Sequence, residues 1–159
     1  MFFLTLESRM LIFFRSQEPL FRSISMQVAG GNHEIECDNV TNNIFVPYES
    51  YFRNPNRIGP PEMLPVDESV RRQLPNETCI HPSGVSFHYD YGNSFYAYIH
   101  GLAHVIVLNS YTDTTTDSVQ YKWLDKQLSE VDRMVTPWLL VSFHGPFHTT
   151  FLGHNGENK

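Results

Sequence analysis

A chain of 159 residues is sized for one domain, long enough to bury most of its apolar surface. With 41% hydrophobic, 14% aromatic and 18% charged residues, the composition is that of a globular core and excludes a disordered or fibrous chain. A net charge of −6 gives no reason to expect nucleic acid as a partner. It leaves an anionic substrate open, because a bound metal pair would dominate the local field.

The chain opens Met1-Phe2-Phe3-Leu4, but Glu7 and Arg9 interrupt the apolar run and no small-residue cleavage site follows. Met10–Phe14 is far too short to span a membrane, so neither a signal peptide nor a membrane segment is expected. Residues 5–21 have helical spacing, with Pro19 as the breaker. A short strand is expected at Ser25–Ala29, running into the glycine-rich turn Gly30-Gly31-Asn32-His33-Glu34. From Asn39 to Pro82 the prolines predict a packed loop region with short helices, of which Val66–Leu74 is one. Val85–Tyr91 and Ser94–His100 read as a hairpin about Gly92-Asn93, and Ala103–Asn109 as a third, buried strand. Asp117 followed by Gln120 predicts a capped helix running to Arg133. Trp138–Phe143 reads as a last buried strand that delivers His144 at its end. The alternation predicts an α/β fold with a mixed sheet.

Eight histidines and two cysteines invite a metal reading. Cys37 and Cys79 fit no zinc spacing; one disulfide and two buried thiols both remain open. Two segments share one design, an apolar strand ending in a polar residue beside a turn: Val28–Glu34 and Leu140–Pro146. Loops after strand C-termini form the ligand crevice of α/β sheets, so Asn32 and His144 can converge there. An Asn oxygen and a neutral imidazole suit zinc, iron or manganese. His33 could then act as general acid, and Glu34 could orient a neighbour. Two ligands do not hold a metal tightly, and from chemistry alone an Asn-His after glycine is more often only a turn. His88, His100 and His104 sit in strand patterns and read as packed or hydrogen-bonded residues; His81 and His148 receive no role.

Gly31-Asn32-His33-Glu34 matches the GNH[DE] motif of calcineurin-like metallophosphoesterases, and Gly30–Glu36 resembles its purple acid phosphatase form. Trp138–Pro146 is similar to that family's strand-to-histidine motif. Between them Tyr89–Gly92, Val105–Tyr111 and Gln120–Leu124 also resemble family segments, in the family's order. The resemblance covers residues 14–159 as a partial metallophosphoesterase domain and leaves residues 1–13 unassigned. It implies part of a four-layer sandwich with mixed sheets, and hydrolysis of phosphate monoesters at a two-metal centre. The metals it implies are Fe with Zn, Mn or a second Fe. It makes Asn32 and His144 ligands of the divalent metal, His33 a phosphate-contacting general acid, and His154 a substrate-contacting residue. It also implies a secreted, vacuolar or lysosomal location.

The chain departs from the family where GDxG, GDxxY and GHxH should stand: no Gly-Asp dipeptide occurs, and Gly153-His154-Asn155-Gly156 ends with glycine in place of the second histidine. The expectation is therefore a fragment that binds metal weakly and turns over little. The alternative is a catalytically inactive remnant acting as a binding or regulatory piece. A sheet lacking its first strands has an unpaired edge, through which poor solubility or a homodimer is expected.

Overall fold

The computed structural model describes residues 6–35, 44–55, 89–148 and 150. In chain order they form α1 (Leu6–Ser16), α2 (Glu18–Phe21), α3 (Val46–Tyr51), β1 (Tyr96–His100), β2 (Ala103–Val107), α4 (Val119–Ser129) and β3 (Trp138–Ser142). The predicted helix 5–21 breaks at Gln17, one residue before a new start, and Pro19 sits in the first turn of α2, where its missing N–H costs nothing.

The sheet is mixed, in the order β1-β2-β3. β1 and β2 pair antiparallel from Tyr96↔Val107 to His100↔Ala103, and β2 and β3 pair parallel from Ala103↔Trp138 to Val107↔Ser142. A parallel pair needs a crossover, and α4 supplies it. The architecture is α/β with a mixed sheet, as the sequence predicts.

The hairpin is not the predicted one. It turns at Gly101-Leu102, with Gly101 at φ +57°, so Ser94–His100 pairs forward with β2. Tyr89–Tyr91 is not strand; Gly92-Asn93 is the centre of a turn closed by Ser94 N–H donating to Tyr91 O at 3.1 Å. Val85–His88 lie outside the described residues. The reason is packing: a Cβ on Gly92 would collide with the Glu49 carboxylate, so this turn is pressed onto α3.

Two further expectations are corrected. Ser25–Ala29 joins no ladder among the described residues. It is held by side chains instead, since the Val28 carbonyl accepts from the hydroxyls of Tyr96 (2.7 Å) and Tyr48 (3.2 Å) and from Asn54 Nδ2 (3.4 Å). β3 is largely exposed, with Trp138 at 65% and Leu140 at 52%, because it is an edge strand with β2 as its one neighbour among the described residues. Val66–Leu74, Cys37 and Cys79 lie outside the described residues.

α4 is capped by Ser118, whose Oγ accepts from Tyr121 N–H at 3.1 Å, and it ends at Ser129, short of Arg133. The predicted cap residue Asp117 is displaced by one position because Gln120 is used elsewhere. Gln120 is buried and bonds both backbone groups of Asn109. Asp132 then organises the following turn through Met134 N–H and Thr136 N–H.

The core is aromatic: Ile35, Ile44, Phe45, Tyr48, Tyr89, Tyr91 and Tyr111 cluster, with Val28 and Phe52 against them. Phe45 and Tyr89 stack at 4.1 Å between ring centroids, and Tyr91 meets Tyr89 edge-on at 4.9 Å. Such offset and edge contacts stabilise beyond the area they bury. Within this core Glu49 is 3% exposed and accepts from the Tyr89 hydroxyl and from Asn93 N–H at 2.6 Å. A buried carboxylate is tolerable only with such donors. Asn93 extends the network, accepting Asn54 N–H on Oδ1 and donating to Phe52 O.

Candidate metal centre

Gly31–Glu34 folds into a tight turn, with Glu34 N–H donating to Gly31 O at 3.2 Å and Glu34 Oε2 accepting Gly31 N–H at 2.8 Å. The expected orienting role of Glu34 thus falls on the backbone of its own turn. A Cβ on Gly31 would lie 2.7 Å from Glu34 Oε2 and 2.8 Å from His144 Cε1, so any larger residue there would push these two side chains aside. That close approach lets the imidazole lie over the turn.

His144 lies two residues beyond the end of β3, after Phe143, and its Nε2 stands 3.2 Å from Asn32 Oδ1, across 112 residues of sequence. Asn32, which follows an extended segment outside any ladder, and His144, just beyond β3, are therefore brought together. His33, next to Asn32 in the chain, is exposed. His154 lies outside the described residues, as do His81 and His88. His104 is buried in β2 as expected, whereas His100 is exposed at the end of β1. His148 is exposed and edge-on to Phe147.

Two further residues, not marked by any motif chemistry, meet the His144 segment. The Tyr111 ring lies 5.9 Å from the imidazole at 47°, and Ser110 Oγ accepts Gly145 N–H at 2.9 Å. The signal available was their position directly after a predicted strand, inside the family-like segment Val105–Tyr111. A cleft of about 500 Å³ adjoins the pair, walled by Phe13, Phe14, Val28, Tyr48 and Phe52, with Glu34 and His144 on its polar side.

Without metal, Nε2–H donating to Oδ1 accounts for the contact. The same spacing fits two cis ligands, because donors about 2.1 Å from one cation stand roughly 3.0 to 3.4 Å apart at octahedral or tetrahedral angles. Donor type and spacing thus suit part of a coordination shell. Among the described residues no group of three or more His, Cys, Asp or Glu could complete it. No described helix is long and apolar enough to cross a membrane.

No family model matches the chain. Purple acid phosphatase 22 of Arabidopsis thaliana is 31% identical over 147 residues, covering 92% of this chain and 27% of that protein. Purple acid phosphatase 13 of the same plant is 32% identical over 143 residues, 90% of this chain and 21% of that protein. Purple acid phosphatase 1 of Ipomoea batatas is 40% identical over 65 residues, 41% of this chain and 14% of that protein. Among solved structures, purple acid phosphatase PPD1 from yellow lupin (Lupinus luteus) seeds superposes with a TM-score of 0.52 at 18% identity, over 85% of this chain and 20% of that one. This last is a likeness of fold. The chain spans about a quarter of the length of the curated relatives it matches.

Proposed function

From a chain related to the purple acid phosphatases over about nine-tenths of its length, we propose a role in hydrolysing phosphate monoesters, with Asn32 and His144 as two ligands of a divalent metal. The observation that carries this reading is the 3.2 Å contact between Asn32 Oδ1 and His144 Nε2. In the family the metals are Fe with Zn, Mn or a second Fe. When bound, such a pair supplies an activated nucleophile and offsets charge on the phosphoryl oxygens.

The chain's own residues have separate tasks. Asn32 and His144 present neutral donors, so they bind a cation without adding negative charge that would repel a phosphate dianion. His33, exposed next to Asn32, holds the proton destined for the leaving-group oxygen. His154 contacts substrate. Glu34 keeps the turn closed by holding Gly31 N–H.

Two donors alone make a weak site, and among the described residues no group of three or more His, Cys, Asp or Glu completes it, so the chain is expected to bind metal loosely and turn over little. That deficit equally favours a second reading, a binding or regulatory piece without turnover. Zn²⁺ titration of the chain, followed by NMR, tests the assignment. Asn32 and His144 side-chain signals are expected to shift together while His100 and His148 stay still, and His144→Ala abolishes the response. Zn²⁺-independent signals at both residues would overturn it. Efficient turnover of an aryl phosphate by the metal-loaded chain would overturn the weak-site expectation.

A further inference from the structure

β2 and β3 run parallel with Val107 opposite Ser142, and the pairing extends one step further as Leu108 N–H donates to Ser142 O at 2.9 Å. The residues that follow must therefore run side by side: Asn109-Ser110-Tyr111 against Phe143-His144-Gly145. Asn109 is fixed from several directions. Its N–H donates to Gln120 Oε1 at 2.8 Å and its carbonyl accepts from Gln120 Nε2 at 3.0 Å. Its side chain donates to Ser94 Oγ at 2.8 Å and accepts Tyr111 N–H at 2.7 Å. From that anchor Ser110 Oγ takes the N–H of the buried Gly145, and the Tyr111 ring, 2% exposed, backs the imidazole of His144.

We infer that Ser110 and Tyr111 are positioning residues for His144, Ser110 clamping the backbone just beyond it and Tyr111 limiting its ring, so that Nε2 faces Asn32 Oδ1. His144 is itself exposed just beyond the end of an edge strand, where an imidazole otherwise samples several rotamers. Its neighbours are the turn at Gly31-Asn32 on one side and the loop carrying Ser110 and Tyr111 on the other. The affinity part of this inference rests on the ligand assignment made above, while the orientation part does not.

The test compares the full 159-residue chain with its Ser110→Ala and Ser110→Thr variants. The metal-free readout is the His144 ring by NMR, through its cross-relaxation with the Tyr111 ring. The second readout is Zn²⁺ affinity by calorimetry. Ser110→Ala is expected to lose the fixed ring orientation and to bind Zn²⁺ about tenfold more weakly, as outer partners of ligands do. Ser110→Thr, which keeps the hydroxyl, restores both. A hydroxyl that merely closes a loop would lower stability and leave the His144 signals alone; that result, or failure of rescue by Thr, overturns the inference. If the unmodified chain shows no Zn²⁺ response at His144, the ligand assignment fails and the ring readout alone decides. Should Ser110→Ala not fold, Tyr111→Phe against Tyr111→Leu decides: ring retained keeps His144 oriented, ring removed frees it, and identical His144 signals in both overturn the inference.

Discussion

Gly92 and Gly101 both hold a positive φ, +59° and +57°, yet their surroundings differ completely. A Cβ on Gly101 meets nothing, whereas one on Gly92 strikes the buried Glu49 carboxylate. Gly101→Ala should therefore cost about 1 kcal/mol, the left-handed backbone alone. Gly92→Ala should cost roughly 3 kcal/mol or more, because it also displaces a carboxylate that accepts from Tyr89 and Asn93. Denaturant unfolding of the two variants checks the order, and equal losses would contradict the packing described for that turn. At this scale the meeting of Asn32 and His144 was legible in the sequence through the two motifs that carry them, although the segment before Asn32 is not a strand. Glu49 was not, since a lone acidic residue in a proline-rich stretch carries no local sign of being buried.

The elements show where local pattern stops being informative. Asp117-Ser118-Val119-Gln120 reads as a capping box from Asp117, but Gln120 is drawn to Asn109, eleven residues back, and the cap passes to Ser118. Ser118→Ala should cost about 1 kcal/mol, an ordinary cap loss. Gln120→Ala should cost more, roughly 2 kcal/mol or above, because it strands a buried N–H and a buried carbonyl on Asn109. Thermal unfolding would separate these cases, and a Gln120→Ala variant no worse than Ser118→Ala would refute the account. The hairpin failed for the same reason as the cap. Gly92-Asn93 and Gly101-Leu102 both offer a glycine between strand-forming runs, and what distinguishes them is distant: Glu49, Phe52 and Asn54 bury the first turn and leave the second open. β3 was legible as a strand but not as an edge, since apolar composition does not say how many neighbours a strand has.

For the molecule as a whole, the α/β class and mixed sheet were readable from alternation. The packing of its core was not, being carried by tyrosines gathered from separated segments. Burial, chiefly, pushes the phenols of Tyr48, Tyr89 and Tyr96 above their ordinary range, with the Glu49 charge adding to the rise for Tyr89. Each stays protonated in the folded chain while its unfolded counterpart ionises near pH 10. Their stabilisation is thus complete below about pH 10 and declines as pH rises beyond it, with a slope of up to three protons. Circular dichroism and phenolate absorbance followed together should show these tyrosines ionising only as the fold is lost. Ionisation of all three near pH 10 with the fold intact would refute the burial argument.

The exposed edge strand also gives the protein a built-in optical label. Its two tryptophans occupy opposite situations: Trp123 is half-buried with its ring 5.0 Å from Phe95, while Trp138 stands 65% exposed at the start of β3. Emission from Trp138 should lie to the red and be readily quenched by iodide, and that from Trp123 should do neither. Any molecule or segment that comes to cover β3 would shift the Trp138 emission to the blue and leave Trp123 as an internal reference, so the occupancy of that edge can be followed without attaching a dye.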